Sequence, residues 1–334
     1  MSAPADEPAG LATRTDYRKP ICVIGPNPAI DYTLEVPDFA AGGVNRTGSV
    51  IRIAGGKPVN VARTLVRLGE SPLLVAPLGG DSGQVISEAT AELGIRLWST
   101  PVREPTRTAV IVADSTNRSY TVINEHGPRL DTREAESYRE LSRAAVRLAC
   151  LVLASGSLPP GLDPDFYADL AHEARASEVP FILDTSGDPL RHALDAQPWA
   201  LKVNGEEVDA VTGAQNHMAA MALLRERGIE HVVVTLGHDG SLYSGPDGTF
   251  AISALAIDPV NPTAAGDAFL AGLAASLSRG EGWLDALRHA SAAAGLVAAR
   301  LGPDIGAEHE VDRLADRITV HHAYHRTNPC TKNA

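Results

Sequence analysis

Residues 261–276 read NPTAAGDAFLAGLAAS, a run of small residues followed by one carboxylate, Asp267, and then at once by an Ala- and Leu-rich segment of helical character. A helix beginning near Ala265 leaves its first backbone N–H groups without intrahelical partners, and small side chains there let an anion approach them. Asp267 falls in the first turn, where the helix dipole favours its ionised form. It is therefore expected to be a ready proton acceptor beside a bound anion at neutral pH. A plain helix-start carboxylate is the competing reading, because acidic residues are common in first turns.

A second stretch, AGGKPVNVARTLVRLG at residues 54–69, also opens a helix. Gly55 and Gly56 let backbone come close to a ligand, Lys57 supplies a point charge, and Asn60 adds a donor and an acceptor nearby. The alternative is a Gly-rich turn that ends where Pro58 starts a helix. No G-x-x-x-x-G-K-[ST] loop is present, which excludes a P-loop NTPase, and no G-x-G-x-x-G follows the first strand, which disfavours a Rossmann dehydrogenase.

Around these stretches, short apolar strands alternate with amphipathic or Ala-rich helices, the pattern of a parallel sheet covered on both faces. Buried strands are expected at 21–25, 73–77, 151–154, 181–184 and 231–235. Helices are expected at about 59–68, 84–93, 133–149, 164–177, 205–212 and 218–227, with a hairpin after 240, then the quoted helix and a last one at 283–301. Residues 31–53 and 102–123 break the alternation with strand-like pieces joined by turn residues. They are expected to pair into a small β-layer, or lid, over one end of the sheet, within a single domain at 20–318.

Of the 334 residues, 44% are apolar and 21% charged, ordinary values for a globular α/β chain, and no apolar run reaches membrane-spanning length. The net charge of −12 argues against a nucleic-acid partner. An anionic substrate would need a local basic site. Cys22, Cys150 and Cys330 are odd in number and far apart, and the first two lie in apolar strand-like runs. They read as small hydrophobes in a reducing cytoplasm. Residues 1–19 read as a flexible polar arm and 319–334 as a polar tail, where His321, His322 and His325 form a frayed tract rather than a metal site.

The chain resembles the PfkB (ribokinase-like) family of carbohydrate kinases from about residue 20 to about 318, and within it the 1-phosphofructokinase and tagatose-6-phosphate kinase branch. The resemblance rests on NPAID (27–31), GGVNR (42–46), AGGKPVNVAR (54–63), TRTAV (106–110), INEHGP (123–128), GSLPPG (156–161), LDTSG (183–187), KVNGEE (202–207), VVVTLGHDGSL (232–242) and NPTAAGDAF (261–269). It implies an α/β ribokinase-like fold, with a mainly parallel central sheet, helices on both faces and a small β-sheet lid. It implies Asp267 as catalytic base and the amides of Ala264, Ala265 and Gly266 as an anion hole. Asp31, Gly56, Lys57 and Asn60 match sugar contacts, and Arg107 and Arg46 match residues that hold a phosphate already on the substrate. Asn204 and Glu207 match a pair that organises Mg²⁺ through water, while Thr235, Gly237 and Gly240 match a loop lining ATP.

Three positions depart from the pattern: Ala264 and Pro58 stand where the family usually has Gly, and Val203 replaces a Pro. The expected activity is ATP- and Mg²⁺-dependent phosphorylation of a primary hydroxyl of a ketohexose monophosphate, first of all fructose 1-phosphate to fructose 1,6-bisphosphate. Tagatose 6-phosphate, fructose 6-phosphate, an unphosphorylated sugar or a nucleoside are alternatives, as is a non-catalytic sugar or nucleotide sensor. A cytoplasmic protein without membrane partners is expected, with a homodimer through the lid.

Overall fold

The computed structural model describes residues 19–117, 119–300 and 302–323. The chain opens with β1 (Ile21–Ile24), β2 (Ala29–Glu35) and β3 (Ser49–Gly55), then α1 (Gly56–Arg67), β4 (Leu73–Leu78), α2 (Gly80–Glu92) and β5 (Arg96–Pro101). A hairpin of β6 (Arg107–Asp114) and β7 (Ser119–Asn124) precedes α3 (Thr132–Leu148), β8 (Leu151–Ser155), α4 (Phe166–Ala176), β9 (Phe181–Asp184), α5 (Gly187–Asp195) and β10 (Ala200–Asn204). Next come α6 (Gly205–Thr212), α7 (His217–Glu226), β11 (His231–Thr235), a 3₁₀ turn at Gly237–Asp239, β12 (Ser241–Gly245) and β13 (Gly248–Ile252). The described chain ends with α8 (Ala265–Ser278), α9 (Trp283–Ala298), α10 (Glu308–Ala315) and β14 (Val320–His322).

Among the described residues the main sheet has the order β14-β13-β12-β11-β10-β9-β8-β1-β4-β5. It is parallel from β11 to β5 and antiparallel from β11 to β14. The parallel strands are apolar on both faces because helices cover both. In β1, Ile21 and Val23 enter a core shared with α1, α8, α9 and α10, while Cys22 and Ile24 enter one shared with α3 to α7. The small residues of α8 have a steric reason: a Cβ on Gly272 would stand 3.0 Å from the Ala290 Cα of α9. The two helices therefore pack closely only because neither presents a large side chain there.

A separate sheet, β3-β2-β6-β7, forms from the two segments that interrupt the α/β alternation. Its β2 and β6 pair in parallel, and β3 and β7 close the edges antiparallel. Asp114 fastens this sheet's loops: its carboxylate accepts from the amides of Asp38 and Phe39 after β2, and from Asn117 in the β6–β7 turn. Those bonds hold the acid low, near 2.

The strands and helices anticipated from the sequence are present, with α1 and α2 starting at Gly56 and Gly80 rather than Val59 and Gln84. β5, β10, α5 and α10 were not anticipated. β10 (ALKVN) carries Lys202 in its middle, and α5 (GDPLRHALD) is short and mostly polar, so neither has a clean apolar period. The tail is not wholly frayed: His321 and His322 lie in β14, where Val320 pairs with Ile252 and His322 stacks near Phe250. His325, Cys330 and the expected polar arm up to residue 18 lie outside the described residues. Cys150 also differs from expectation, since it is exposed at the start of β8 rather than buried.

Candidate active site

The C-terminal ends of β1, β8, β9, β10 and β11 converge on one crevice, the usual ligand position in an open parallel sheet. The start of α8 faces this crevice. Ala264 is its N-cap with φ −100° and ψ 7°, which alanine adopts without strain, so the methyl that replaces the usual Gly is accommodated. The first amides are not equivalent. The Ala265 N–H donates to the Pro262 carbonyl at 3.0 Å and the Asp267 N–H to the Ala264 carbonyl at 3.2 Å. Among the described residues no acceptor takes the Ala264 or Gly266 amide. The Ala265 amide is thus turned inward, while those of Ala264 and Gly266 stand open at the helix start.

Asp267 is buried, 5% exposed, and its Oδ2 accepts from Asn60 Nδ2 at 3.0 Å. Burial raises its pKa to about 7, against the opposing pull of Lys57 and with the help of Asp184. The helix dipole therefore loses to desolvation. Asp267 is thereby poised near neutrality, a suitable value for a general base.

Beside it lies a charge cluster that the sequence reading did not assemble. Asp184, at the end of β9, is fully buried and holds Lys57 Nζ at 2.7 Å on one oxygen and Lys202 Nζ at 2.8 Å on the other. Burial disfavours the Asp184 anion, but the two ammonium groups outweigh it and bring its pKa to about 2. Burial disfavours the Lys57 ammonium in turn, but Asp184 overcomes that cost and raises its pKa. A Cβ on Gly266 would meet the Lys202 ammonium at 3.1 Å, so this cation borders the start of α8. The signal was present in the sequence: FILD ends an apolar strand on an acid, and ALKVN embeds a lysine in another.

On the opposite wall, Asp31 of β2 is buried and its Oδ2 accepts from the Gly56 amide at 3.1 Å. Its pKa is raised by burial, with Gly56 and the nearby Arg107 opposing. Gly56 has φ 72°, and a Cβ there would stand 2.9 Å from the Ala29 amide, so only glycine carries the chain through this turn. Pro58 lies in the first turn of α1, where its missing N–H costs nothing, and it fills the space above Gly25 that any side chain there would occupy.

Arg107, at the start of β6, donates to the Asn27 carbonyl at 3.2 Å and to the Asn124 side chain and Glu125 carbonyl at 3.4 Å each. A cleft lies between the small sheet and the helices α1, α8 and α9, lined by Asp31, Thr33, Ile53, Asn60, Thr263 and Ala264 among others. Arg46 is not among its lining residues and stays exposed in the β2–β3 loop.

On the nucleotide side, Asn204 caps α6 and Glu207 caps it in return: Glu207 N–H donates to Asn204 Oδ1 and Asn204 N–H to Glu207 Oε2, each at 2.8 Å. The pair is a capping box in this state. Val203, in place of Pro, is an interior residue of β10 in register with Val234, and its carbonyl accepts from the Thr235 hydroxyl at 3.3 Å. Gly237 and Gly240 both have positive φ, and a Cβ on Gly240 would overlap the Ile252 carbonyl at 2.1 Å. Among the described residues no group of three or more His, Cys, Asp and Glu could hold a metal. Hard oxygens from one carboxylate and one amide fit an Mg²⁺ ion carried on substrate phosphates better than a resident one.

The pfkB family carbohydrate kinase profile matches residues 18–310. The chain is 33% identical over 286 residues to the ATP-dependent 6-phosphofructokinase isozyme 2 of Mycobacterium tuberculosis H37Rv, covering 83% of this chain and 84% of that protein. It is 35% identical over 261 residues to the 1-phosphofructokinase of Xanthomonas campestris pv. campestris, covering 75% of this chain and 82% of the relative. Its fold is that of phosphofructokinase-2 from Escherichia coli in complex with substrates and products, with a TM-score of 0.83, 22% identity, and coverage of 89% and 99% of the two chains. The chain belongs to the pfkB family of carbohydrate kinases, phosphotransferases that act on an alcohol group of a sugar.

Proposed function

We propose that the chain is an ATP-dependent kinase of a ketohexose monophosphate, with fructose 1-phosphate as substrate and fructose 1,6-bisphosphate as product. The observation that carries this reading is the placement of Asp267: buried at the start of a helix, bonded to Asn60, beside two ammonium groups and next to the cleft that Asp31, Asn60 and Ala264 line. In the reaction, the acceptor hydroxyl oxygen forms a bond to the γ-phosphorus of ATP as the bond to the β–γ bridging oxygen breaks and ADP leaves. The hydroxyl proton passes to Asp267.

The transition state is loose, so the protein's contribution is placement and charge neutralisation. The Ala264 and Gly266 amides, Lys57 and Lys202 supply that charge, with the Ala265 amide joining if ligand binding turns it outward. Asp31 and Asn60 hold sugar hydroxyls, and Arg107 binds the existing phosphate, a task suited to a guanidinium. Thr235, Gly237 and Gly240 line the nucleotide, and Asn204 and Glu207 would hold Mg²⁺ through water, where it would offset phosphate charge. Exposed Val50 and Ile123, which share the face of the small sheet turned away from the cleft, support a homodimer through that face.

A second reading, phosphorylation of fructose 6-phosphate at its 1-hydroxyl, is favoured by the relative of that specificity at 33% identity. An ADP-release assay against fructose 1-phosphate, fructose 6-phosphate, tagatose 6-phosphate, fructose and ribose separates the two. The highest kcat/KM is expected on fructose 1-phosphate, and activity confined to plain sugars would overturn both readings.

A further inference from the structure

We infer that Arg63 is a positioning residue for phosphoryl transfer: its guanidinium fixes the Asn60 amide with the NH₂ end toward Asp267 and ties that amide to the root of the small sheet. The inference rests on Asp267 being the base. Arg63 lies one turn beyond Asn60 on α1, and its Nη1 donates to Asn60 Oδ1 at 2.9 Å. Its Nη2 donates to the Ala54 carbonyl of β3. Asn60 Nδ2 then donates to Asp267 Oδ2 at 3.0 Å.

A carboxamide is nearly symmetric in shape, so half a turn about its last bond exchanges a donor for an acceptor. Turned over, Asn60 would aim its oxygen at Asp267, and in the ionised form that accepts the proton both groups would be acceptors. A guanidinium has donors only, so Arg63 admits the Asn60 oxygen and rejects its NH₂. The order Arg63, Asn60, Asp267 thus has one consistent set of hydrogen bonds.

The second arm of the fork adds a mechanical link. Ala54 pairs with Ile30, next to Asp31 in β2, so one guanidinium joins the wall that carries the base to the wall that carries the sugar-binding acid. Lysine, a point donor on a flexible stem, lacks the planar fork that reaches both oxygens at once. The charged groups facing Asp267 are Lys57, Asp184 and Lys202, and those around Arg63 are Asp31, Asp304 and Arg67.

The test compares Arg63→Gln, Arg63→Lys and Asn60→Ala, and the double variant Arg63→Gln with Asn60→Ala. The readout is the pH profile of kcat/KM, at saturating ATP, on whichever of fructose 1-phosphate and fructose 6-phosphate the enzyme turns over faster. Arg63→Gln is expected to move the acidic limb upward by about half to one pH unit, the worth of one hydrogen bond to a carboxylate. In the Asn60→Ala background the same change is expected to move it no further.

A limb that stays in place in Arg63→Gln, or a shift that persists without Asn60, overturns the inference. Should Arg63→Gln fail to fold by circular dichroism, Arg63→Lys carries the same test, because it keeps the charge but not the fork. Asp267→Asn is the control on the underlying reading. Retained turnover in that variant sinks the assignment of the base, whereas an inactive variant beside an unmoved limb in Arg63→Gln sinks the role of Arg63 alone.

Discussion

The Lys202 ammonium lies 2.8 Å from one oxygen of Asp184, and Lys57 lies 2.7 Å from the other. A fully buried carboxylate held from both sides fixes two cations near Asp267 without letting either drift toward the other. Asp184→Asn keeps the shape and removes the charge, so both ammonium groups lose their counterion. The expected loss is about 3–5 kcal/mol of stability by urea denaturation, as for other broken buried pairs. Because the folded pKa of Asp184 is depressed to about 2 from an unfolded value near 3.8, its stabilisation is present above pH 4 and lost as pH falls through 2. A variant as stable as the wild type at pH 7 would mean the lysines are held by something else.

Asp267→Asn is expected to lower turnover by at least ~10²-fold, the usual worth of a positioned acid–base group. It should also stabilise the ligand-free protein. The folded-state pKa of Asp267 is raised from 3.8 to about 7, so its cost is absent below pH 4 and grows as pH rises to 7. An amide that never ionises escapes that cost. The melting temperature of the variant should therefore exceed that of the wild type at pH 8 and match it near pH 4. The opposite ordering would show that Asp267 is ionised and well solvated in the free enzyme.

The same carboxylate is expected to set the pH dependence of catalysis. A base must be deprotonated to act, so kcat/KM for the sugar should fall as pH drops below about 7 rather than below 4. A profile flat from pH 8 to 5 would remove Asp267 as the titrating group.

Arg107→Ala should discriminate among sugars. Its guanidinium is close enough to Asp31 to act on it electrostatically, and loss of a charge-assisted pair to a phosphate costs roughly 10-fold to 100-fold in affinity. The KM for the sugar phosphate should rise by that factor, while any residual KM for the plain sugar stays within about twofold. Equal losses on both would place the phosphate elsewhere on the protein.

How far the sequence could be read depended on whether each signal was local. α8 and α1 announced themselves because small residues, a first-turn acid and a Gly-Gly-Lys turn are properties of consecutive positions. The two sheets were legible for the same reason, since apolar strands alternating with helices and paired strand-like runs each have a short-range period. The Asp184 pair was not legible as a pair, because Lys57 and Lys202 reach one carboxylate from distant elements, α1 and β10. Asp267 shows the limit most plainly. Its place at a helix start was legible and the size of its pKa shift was not, because the dipole is a local quantity and burial is set by the whole fold.

His231 gives a test of the fold independent of the active site. It opens β11, is buried, and stacks on Trp283 with ring centroids 4.0 Å apart. Its Nδ1 is 2.9 Å from the Tyr243 hydroxyl and its Nε2 is 3.2 Å from Glu230. A neutral imidazole accepting from Tyr243 and donating to Glu230 satisfies both. Burial, aided by Arg225, lowers its pKa from 6.5 to about 4. An unfolded chain thus takes up this proton before the folded one does, so the stability His231 contributes is present above pH 6.5 and is lost as pH falls toward 4. Discounted for solvent screening at the Glu230 edge, the effect is on the order of 1 kcal/mol. His231→Phe keeps an aromatic ring against Trp283 but cannot titrate. The wild type should lose more melting temperature than this variant between pH 7 and pH 4.5, and parallel melting curves across that interval would mean that the imidazole takes up its proton as readily inside the fold as in the unfolded chain.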